Sequence, residues 1–251
     1  MTAMFRDLHI FADGTEIAQS CRVRLTARET LSLLPQLFSL EIENLSGSSA
    51  ALLSAARAVE ARSEGSVLAS GEILALCPER RNGREILSVS FSPGYSFRKS
   101  AVCLSLSAGI KVSDTVRAVL AAAGPSVPLA AFSADDIRLT RPQSFFGRTC
   151  GALRILADTV GADAYLAPAG LCVVSRSPLT PSWILPEESL LSAPVFLPDR
   201  ALLSTSVTGW PLGCGLRFTW QGTARQGRLV SRLIQLDTAE GPWLSRLEVL
   251  L

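Results

Sequence analysis

The chain has 251 residues, of which 18% are charged and 48% hydrophobic, against roughly 25% charged in an average globular protein. Mean hydropathy is +0.31, yet the longest charge-free run, Ala118 to Ala134, is broken by Gly124, Pro125 and Pro128 and falls short of the ~20 apolar residues of a spanning helix. A transmembrane helix and a disordered chain are both excluded, and a net charge of +2 lacks the electrostatic footprint of a nucleic-acid binder.

What remains is a soluble protein with more apolar surface than one small core needs, as expected of an assembly subunit whose partners cover the surplus. Only Lys99 and Lys111 are lysines among the 24 basic residues. A GC-rich genome explains that bias, and arginine also suits planar pairing at subunit contacts. The six cysteines, Cys21, Cys77, Cys103, Cys150, Cys172 and Cys214, are spread without a C-x-x-C pair. They read as buried free thiols folded in a reducing compartment rather than a disulfide framework or zinc set. The N-terminus lacks the pattern of a secretory signal.

In chain order, Leu8–Phe11 and Glu16–Ile17 flank Asp13-Gly14, a strong hairpin signal. Cys21–Leu25 and Phe38–Glu43 alternate with the period of half-buried strands, and Asn44–Gly47 stops the second. Ser48–Ala61 is Ala-rich and reads as a short helix. Val67–Leu76 and Ile86–Phe91 read as strands around a charged tip, Glu79–Arg84, whose Asn82-Gly83 supplies a second hairpin turn. Such a region buries its apolar residues best as a barrel or sandwich.

The centre changes character. A strand at Val102–Leu106 leads to a helix capped by Ser113-Asp114 and ended by Gly124, followed by a strand at Pro128–Phe132. A second such unit starts with a strand at Ile137–Leu139 and a turn at Ser144–Gly147. A helix from Thr149 to Val160 comes next, ended by Gly161, then a hairpin of Ala164–Leu166 with Leu171–Val174. Ser177–Pro181 has linker composition. Strands return at Leu203–Thr208, Leu216–Trp220, Leu229–Leu236 and Trp243–Leu250, with Gly209–Gly213 and Gly222–Gly227 as loops. The fold class is α+β, mostly β: a β region, a small tandem α/β region, and a β region.

Little in the sequence supports catalysis. His9 is the sole histidine and lies in strand context, where a structural role outweighs that of a catalytic base. No metalloprotease, nucleophile-elbow, P-loop or dinucleotide motif appears, and Gly213-Cys214-Gly215 has no helix behind it to hold a phosphate. Asp135-Asp136 and Glu187-Glu188 are adjacent carboxylates, but adjacency does not give the facing geometry of a glycosidase. Phe145-Phe146 and the four tryptophans, Trp183, Trp210, Trp220 and Trp243, read as core or interface aromatics before a sugar platform. No catalytic, cofactor-binding or metal-binding residue is assigned, and no enzymatic activity is expected.

Three stretches resemble the tail hub, or baseplate hub, proteins of tailed bacteriophages, the late control protein D group included. They are Phe38–Ser46, an alternating strand ending in Asn-Leu-Ser; the paired segments Ser113–Leu120 and Gly151–Ala157; and Gly227–Leu247, with its Asp237-Thr238 turn and Gly241-Pro242-Trp243 opening the last strand. Where the family carries a His before that Asp, Gln235-Leu236 stands here, and Asp237 reads as a structural turn residue. The resemblance implies two tube-like β-barrels, residues 1–100 and 178–251, able to exchange strands, around a tandem α/β insertion at 101–177. It implies a homotrimer of pseudo-six-fold symmetry that joins the hexameric tail tube to a central spike and lines the DNA channel, an architecture shared with type VI secretion spike proteins. The implied partners are further copies of the chain, the tail tube or distal tail protein, the spike, the tape measure protein, wedge proteins where the tail contracts, and DNA passing without sequence-specific contacts. The implied location is the virion tail baseplate, assembled in the host cytoplasm. The charged tip from Glu79 to Glu85 is either a docking loop or a plain solvated turn. A distal tail or tube-initiator protein and a tail-associated cell-wall hydrolase are the competing readings.

Overall fold

The computed structural model describes residues 7–18, 21–124, 127–177, 183–206, 209–239 and 241–251. The chain forms two compact units. One contains the described residues of Met1–Thr30, Gln36–Ser92 and Leu179–Leu251; the other contains those of Leu31–Pro35 and Pro93–Pro178.

The first unit is built from hairpins. β1 (His9–Ala12) and β2 (Thr15–Glu16) turn at Asp13-Gly14, where φ is 44° and 84°, the positive pair that a type I′ turn requires. β3 (Arg22–Thr30) and β4 (Phe38–Glu43) come next, each alternating buried and exposed residues. The Ala-rich segment departs from expectation. α1 (Gly47–Ala55), capped by the Ser46 hydroxyl, stops short, and β5 (Ala58–Ser63) replaces its second half. The cause lies in the first hairpin: the Asp13 carboxylate accepts the N–H groups of Arg57 at 3.0 Å and Ala58 at 2.9 Å. That grip draws the segment alongside β1, where Val59 and Ala61 enter the core. β6 (Ser66–Arg81) and β7 (Arg84–Ser92) are longer than their apolar runs suggest, so the expected charged tip is mostly strand with Asn82-Gly83 as its turn.

The second unit holds α2 (Tyr95–Lys99), β8 (Ala101–Leu106), α3 (Val112–Ala122), β9 (Leu129–Ser133), β10 (Gln143–Arg148), α4 (Thr149–Thr159), β11 (Ala162–Ala167) and β12 (Gly170–Ser175). Both longer helices end where expected, with Gly124 and Gly161 at positive φ directly beyond. Three local expectations are corrected. Ser144–Gly147 is not a turn but part of β10, because it pairs antiparallel with β8 in continuous register. Ile137–Leu139 is not a strand: its backbone meets residues 109–112 only around one bridge, Lys111 to Arg138. Ser113-Asp114 do not cap α3, whose N-cap is Lys111; first-turn donors are met by Asp136, which accepts the Ser113 N–H and hydroxyl, each at 2.9 Å. β8 pairs with β10 in one sheet, and β9, β12 and β11 form another. The helices α3 and α4 supply Val116, Val119, Leu153 and Leu156 to this unit's core.

The chain then returns to the first unit with β13 (Trp183–Leu185), a 3-10 turn at Glu187–Ser189, β14 (Val195–Phe196), β15 (Arg200–Thr205), β16 (Gly215–Trp220), β17 (Thr223–Asp237) and β18 (Trp243–Leu250). The Gly222–Gly227 stretch expected as a loop belongs to β17, which turns from β16 at Gln221-Gly222, φ 49° and 72°. The linker residues Pro178–Pro181 lie outside the described residues, as do Val207 and Thr208 of the expected strand. All these strands join one 13-stranded sheet in the order β14-β15-β18-β17-β3-β4-β7-β6-β5-β1-β2, with β13 and β16 branching from β17. Among the described residues this pairing path does not close on itself. One face of the central strands carries the core row Leu236, Leu25, Leu40 and Val89, paired partner to partner and each at most 2% exposed.

Gly227 shows how closely β17 and β18 approach: a Cβ there would run into the Leu250 carbonyl oxygen, a backbone atom. Gly227→Ala is expected to cost about 1–3 kcal/mol, the usual penalty of overpacking. Gly151→Ala, in the first turn of α4 with open space around it, is expected to stabilise by about 0.5–1 kcal/mol. Urea unfolding of both variants checks the pair.

Candidate assembly surfaces

The residues singled out for chemistry are scattered. His9 sits on β1 with Nδ1 2.6 Å from Glu16 and Nε2 2.9 Å from Asp7. Hydrogen bonds to Glu16 and then Asp7 raise its pKa above the usual 6.5, so its ring is held within a small surface cluster with two carboxylates. Asp136 is the capping group of α3. Partial desolvation pushes its pKa up, but the Ser113 donors and Lys111 outweigh this and hold it below the usual value. Asp135 is exposed beside it, and Glu187 and Glu188 lie in the 3-10 turn after Pro186. Among the described residues no three His, Cys, Asp or Glu side chains converge as metal ligands would. Phe145 is core, at 4% exposure, whereas Phe146 is 92% exposed. Of the tryptophans, Trp183 and Trp210 lie together with ring centroids 5.9 Å apart.

The cysteines are free, but not all are buried: Cys77 and Cys103 are exposed. Each occupies an outward position of a strand, Cys77 opposite Ser88 and Cys103 opposite Phe146. Burial raises the thiols of Cys150 and Cys172, and that of Cys214 to about 11; Cys214 directly precedes β16.

Two surfaces of the first unit emerge instead. The first is the outward face of the central sheet. Because direct partners share a face, the registers place Gln235, Thr26, Ser39, Ser90 and Ala75 in one row across five strands. The adjacent row runs Asp237, Arg24, Glu41, Ser88 and Cys77. The first row is small and uncharged. The charges of the second are consumed locally. Asp237, 6% exposed at its side chain, takes two bonds from Arg22, at 3.0 and 2.7 Å, and one from Arg24 at 3.1 Å. Glu43, 5% exposed, meets Arg24 at 2.9 Å and Arg84 at 2.8 Å. Glu41 bridges Arg24 and Arg81. A cleft of about 220 Å³ lies among these arginines and Asn82.

Asp237 also organises the turn into the last strand. Its carboxylate accepts the Ala239 N–H, its N–H donates to Pro242 O, and the Thr238 N–H and hydroxyl both engage Val23 of β3. Gly241 is required because a Cβ there would strike the Asp237 side chain. The Asp-Thr…Gly-Pro-Trp motif is therefore a structural turn that locks β17 to β3. Sequence reading identified the turn but not its arginine partners, which lie some two hundred residues away.

The second surface is apolar. Of the large exposed hydrophobic side chains, Trp183, Ile184, Leu191, Val195, Phe196, Leu197 and Leu202 belong to the segment from β13 to β15, Leu250 ends β18 and Leu251 follows it. Val195 and Leu202 are direct partners on β14 and β15, the terminal strands of the sheet path. Phe196 beside them stacks on Phe218 and lies under the Arg225 guanidinium, 4.4 Å from its ring.

No protein-family model matches the chain, and no curated protein is significantly similar to it. Solved structures are similar in fold. The tail protein from Neisseria meningitidis MC58 is 14% identical with a TM-score of 0.72, over 97% of this chain and 96% of that one. The 43 kDa tail protein of prophage MuSo2 from Shewanella oneidensis is 11% identical with a TM-score of 0.74, over 98% and 96%. An Escherichia coli component of the type VI secretion system, described as similar to the T4 bacteriophage tail proteins gp27 and gp5, is 9% identical with a TM-score of 0.70, over 96% and 76%. The chain thus has a phage tail and baseplate-related fold, one that extends to type VI secretion components.

The partner-rich environment of Asp237 has a measurable consequence. The Arg22 bonds, working against desolvation and aided by the Ala239 N–H and Arg24, lower its pKa to about 2. A depressed carboxylate stabilises the fold above its unfolded value near 3.8, and this contribution fades as pH falls toward 2. Asp237→Asn is expected to lose about 2–4 kcal/mol at neutral pH, less than a fully buried pair because the arginines keep some solvent. The variant's stability should also fall less steeply than wild type between pH 4 and 2, as read by urea unfolding across that range.

Proposed function

We propose that this chain is a structural ring subunit of a phage-type tail: a homotrimeric hub joining tail tube to central spike, without catalytic chemistry. The fold likeness supports the tail role. The observation that carries the ring reading is the concentration of exposed large apolar side chains on the C-terminal strands, from Trp183 to Leu202 with Leu250 and Leu251. A solvated monomer gains nothing from such a surface, whereas long-lived subunit contacts bury it. In this reading β1–β7 and β13–β18 are two tube-like halves, sharing strands through the β3–β17 pair, so that three copies present six similar walls. The small uncharged row Gln235-Thr26-Ser39-Ser90-Ala75 is the channel wall. Phosphate binding strengthens with each unpaired cation offered, and here the neighbouring arginines are already paired, so DNA slides without being held. The partners are further copies of the chain, tube or distal tail protein, spike and tape measure protein, in a virion baseplate.

Sedimentation velocity and electron microscopy of the purified chain test this. A particle of about three times 26.7 kDa with a three-fold axis is expected. Ile184→Glu combined with Leu191→Glu should reduce it to monomers that keep the wild-type secondary structure by circular dichroism, since both side chains are exposed. A wild-type monomer at high concentration would overturn the reading, and a six-fold ring would assign the chain to the distal tail position instead.

A further inference from the structure

The second unit carries a different surface, formed by its own strands alone. β8 and β10 form a sheet of only two strands, so each has an outer edge with no strand partner among the described residues. One face of the pair packs Val102 and Phe145 into the core. The other presents Ala101, Cys103 and Ser105 opposite Arg148, Phe146 and Ser144, all exposed. Phe146 stands out at 92% exposure, the most exposed large hydrophobic side chain described. The sequence of and around both strands is rich in cations. Residues 86–113 and 137–157 contain no Asp or Glu, but hold the exposed Lys99, Lys111, Arg138, Arg141, Arg148 and Arg154; Arg98 between them is buried and donates to the Leu33 and Pro93 carbonyls. Of these, Lys111 has an ion-pair partner in Asp136, and Arg138 donates to the Gly109 carbonyl.

We propose that the outer edge of β10 takes up an extended acidic segment of a partner protein, as a third strand of this sheet. Three observations converge on that occupant. An open edge offers alternating N–H and C=O groups, which a peptide backbone matches and a sugar-phosphate backbone does not. Two-stranded sheets are marginal, and a third strand completes them. Alternate side chains of the added strand would lie beside Phe146 and Arg148, so an apolar residue followed two positions on by a carboxylate fits, with the exposed cations nearby in the sequence favouring acidic segments. A single exposed aromatic ring is, in contrast, a poor platform for single-stranded nucleic acid, which uses successive stacked bases.

The test is hydrogen–deuterium exchange on the full-length chain with three probes: an eight-residue Val-Ser-Glu-Ser repeat (the Val-Glu peptide), which sets Val and Glu alternately on one face, its Val-Ser-Lys-Ser counterpart (the Val-Lys peptide), and a single-stranded oligothymidylate. The Val-Glu peptide is expected to slow exchange in 143–148 while leaving β11 and β12 unchanged, and to do so less as salt is raised. Phe146→Ser and Arg148→Glu, both at exposed positions, are each expected to weaken that binding about tenfold with wild-type thermal stability. Absence of protection, equal protection by the Val-Lys peptide, or stronger protection by the oligonucleotide would each overturn the proposal, the last by assigning the surface to nucleic acid.

Discussion

The pairing of β3 with β17 is the constraint on which the first unit depends. It runs from Ser231↔Thr30 to Asp237↔Arg24 and joins strands separated by most of the chain. Without it the sheet order falls into two sets, β1 to β7 and β13 to β18. The ladder alone would bear a large loop-closure cost. Side chains reinforce it at its end, where Arg22 and Arg24 close on Asp237 and Thr238 satisfies both the N–H and the C=O of Val23. A second long-range pair, Arg232 with Glu29, both nearly buried, sits further along the same strands. Breaking either leaves a charge in poor solvent, a penalty larger than the net worth of the bond. Such non-local topology is slow to form, and these pairs discriminate against competing registers.

Register matters here because the two faces of the central strands have opposite jobs. Leu236, Leu25, Leu40 and Val89 face the core, and their sequence neighbours Gln235, Thr26, Ser39 and Ser90 face outward. A slip of one residue would exchange the two sets. The sheet contains local shifts between Ile73 and Ala75 on β6 and between Leu229 and Ser231 on β17. These bulges reset the alternation where the strands leave the core and run on toward their hairpin tips. The same strand therefore serves packing in one half and surface in the other.

How much of this was legible in the sequence depended on range. Asp13-Gly14 and Asn82-Gly83 announced their turns because Asp and Asn tolerate positive φ. Glu64-Gly65 and Gln221-Gly222 adopt the same geometry, but Glu and Gln carry no such preference, so β5 and the start of β17 stayed hidden. The Ala-rich stretch after Ser46 continues in helix-forming residues past Ala55, and the helix stops where the distant Asp13 carboxylate takes the Arg57 and Ala58 N–H groups. Ser144–Gly147 looked like a turn by composition and became a strand because β8 is there to pair with it. The Asp237 turn was recognisable, yet its meaning required Arg22, Arg24 and Val23. Alternation identified a polar face for each strand, but the continuous uncharged row exists only once five strands are in register.

Low charge and apolar excess, the two compositional traits of the chain, thus have separate structural origins. The charges of the central face are mostly spent on one another: Arg22, Arg24, Arg81 and Arg84 against Glu41, Glu43 and Asp237. This internal neutralisation lets a sheet tied together by arginine present an electrostatically quiet surface, and arginine suits the task because its planar fork reaches two carboxylates at once. Lysine at position 24 could not span Asp237, Glu41 and Glu43 together. The apolar excess lies elsewhere, at the terminal strands of the same sheet, where the charges present, Arg200 with Asp199 and Glu248, are paired with one another. Separating the two lets one sheet carry a charge-paired face and an apolar edge, and that division is set by position along the strand order rather than by overall composition.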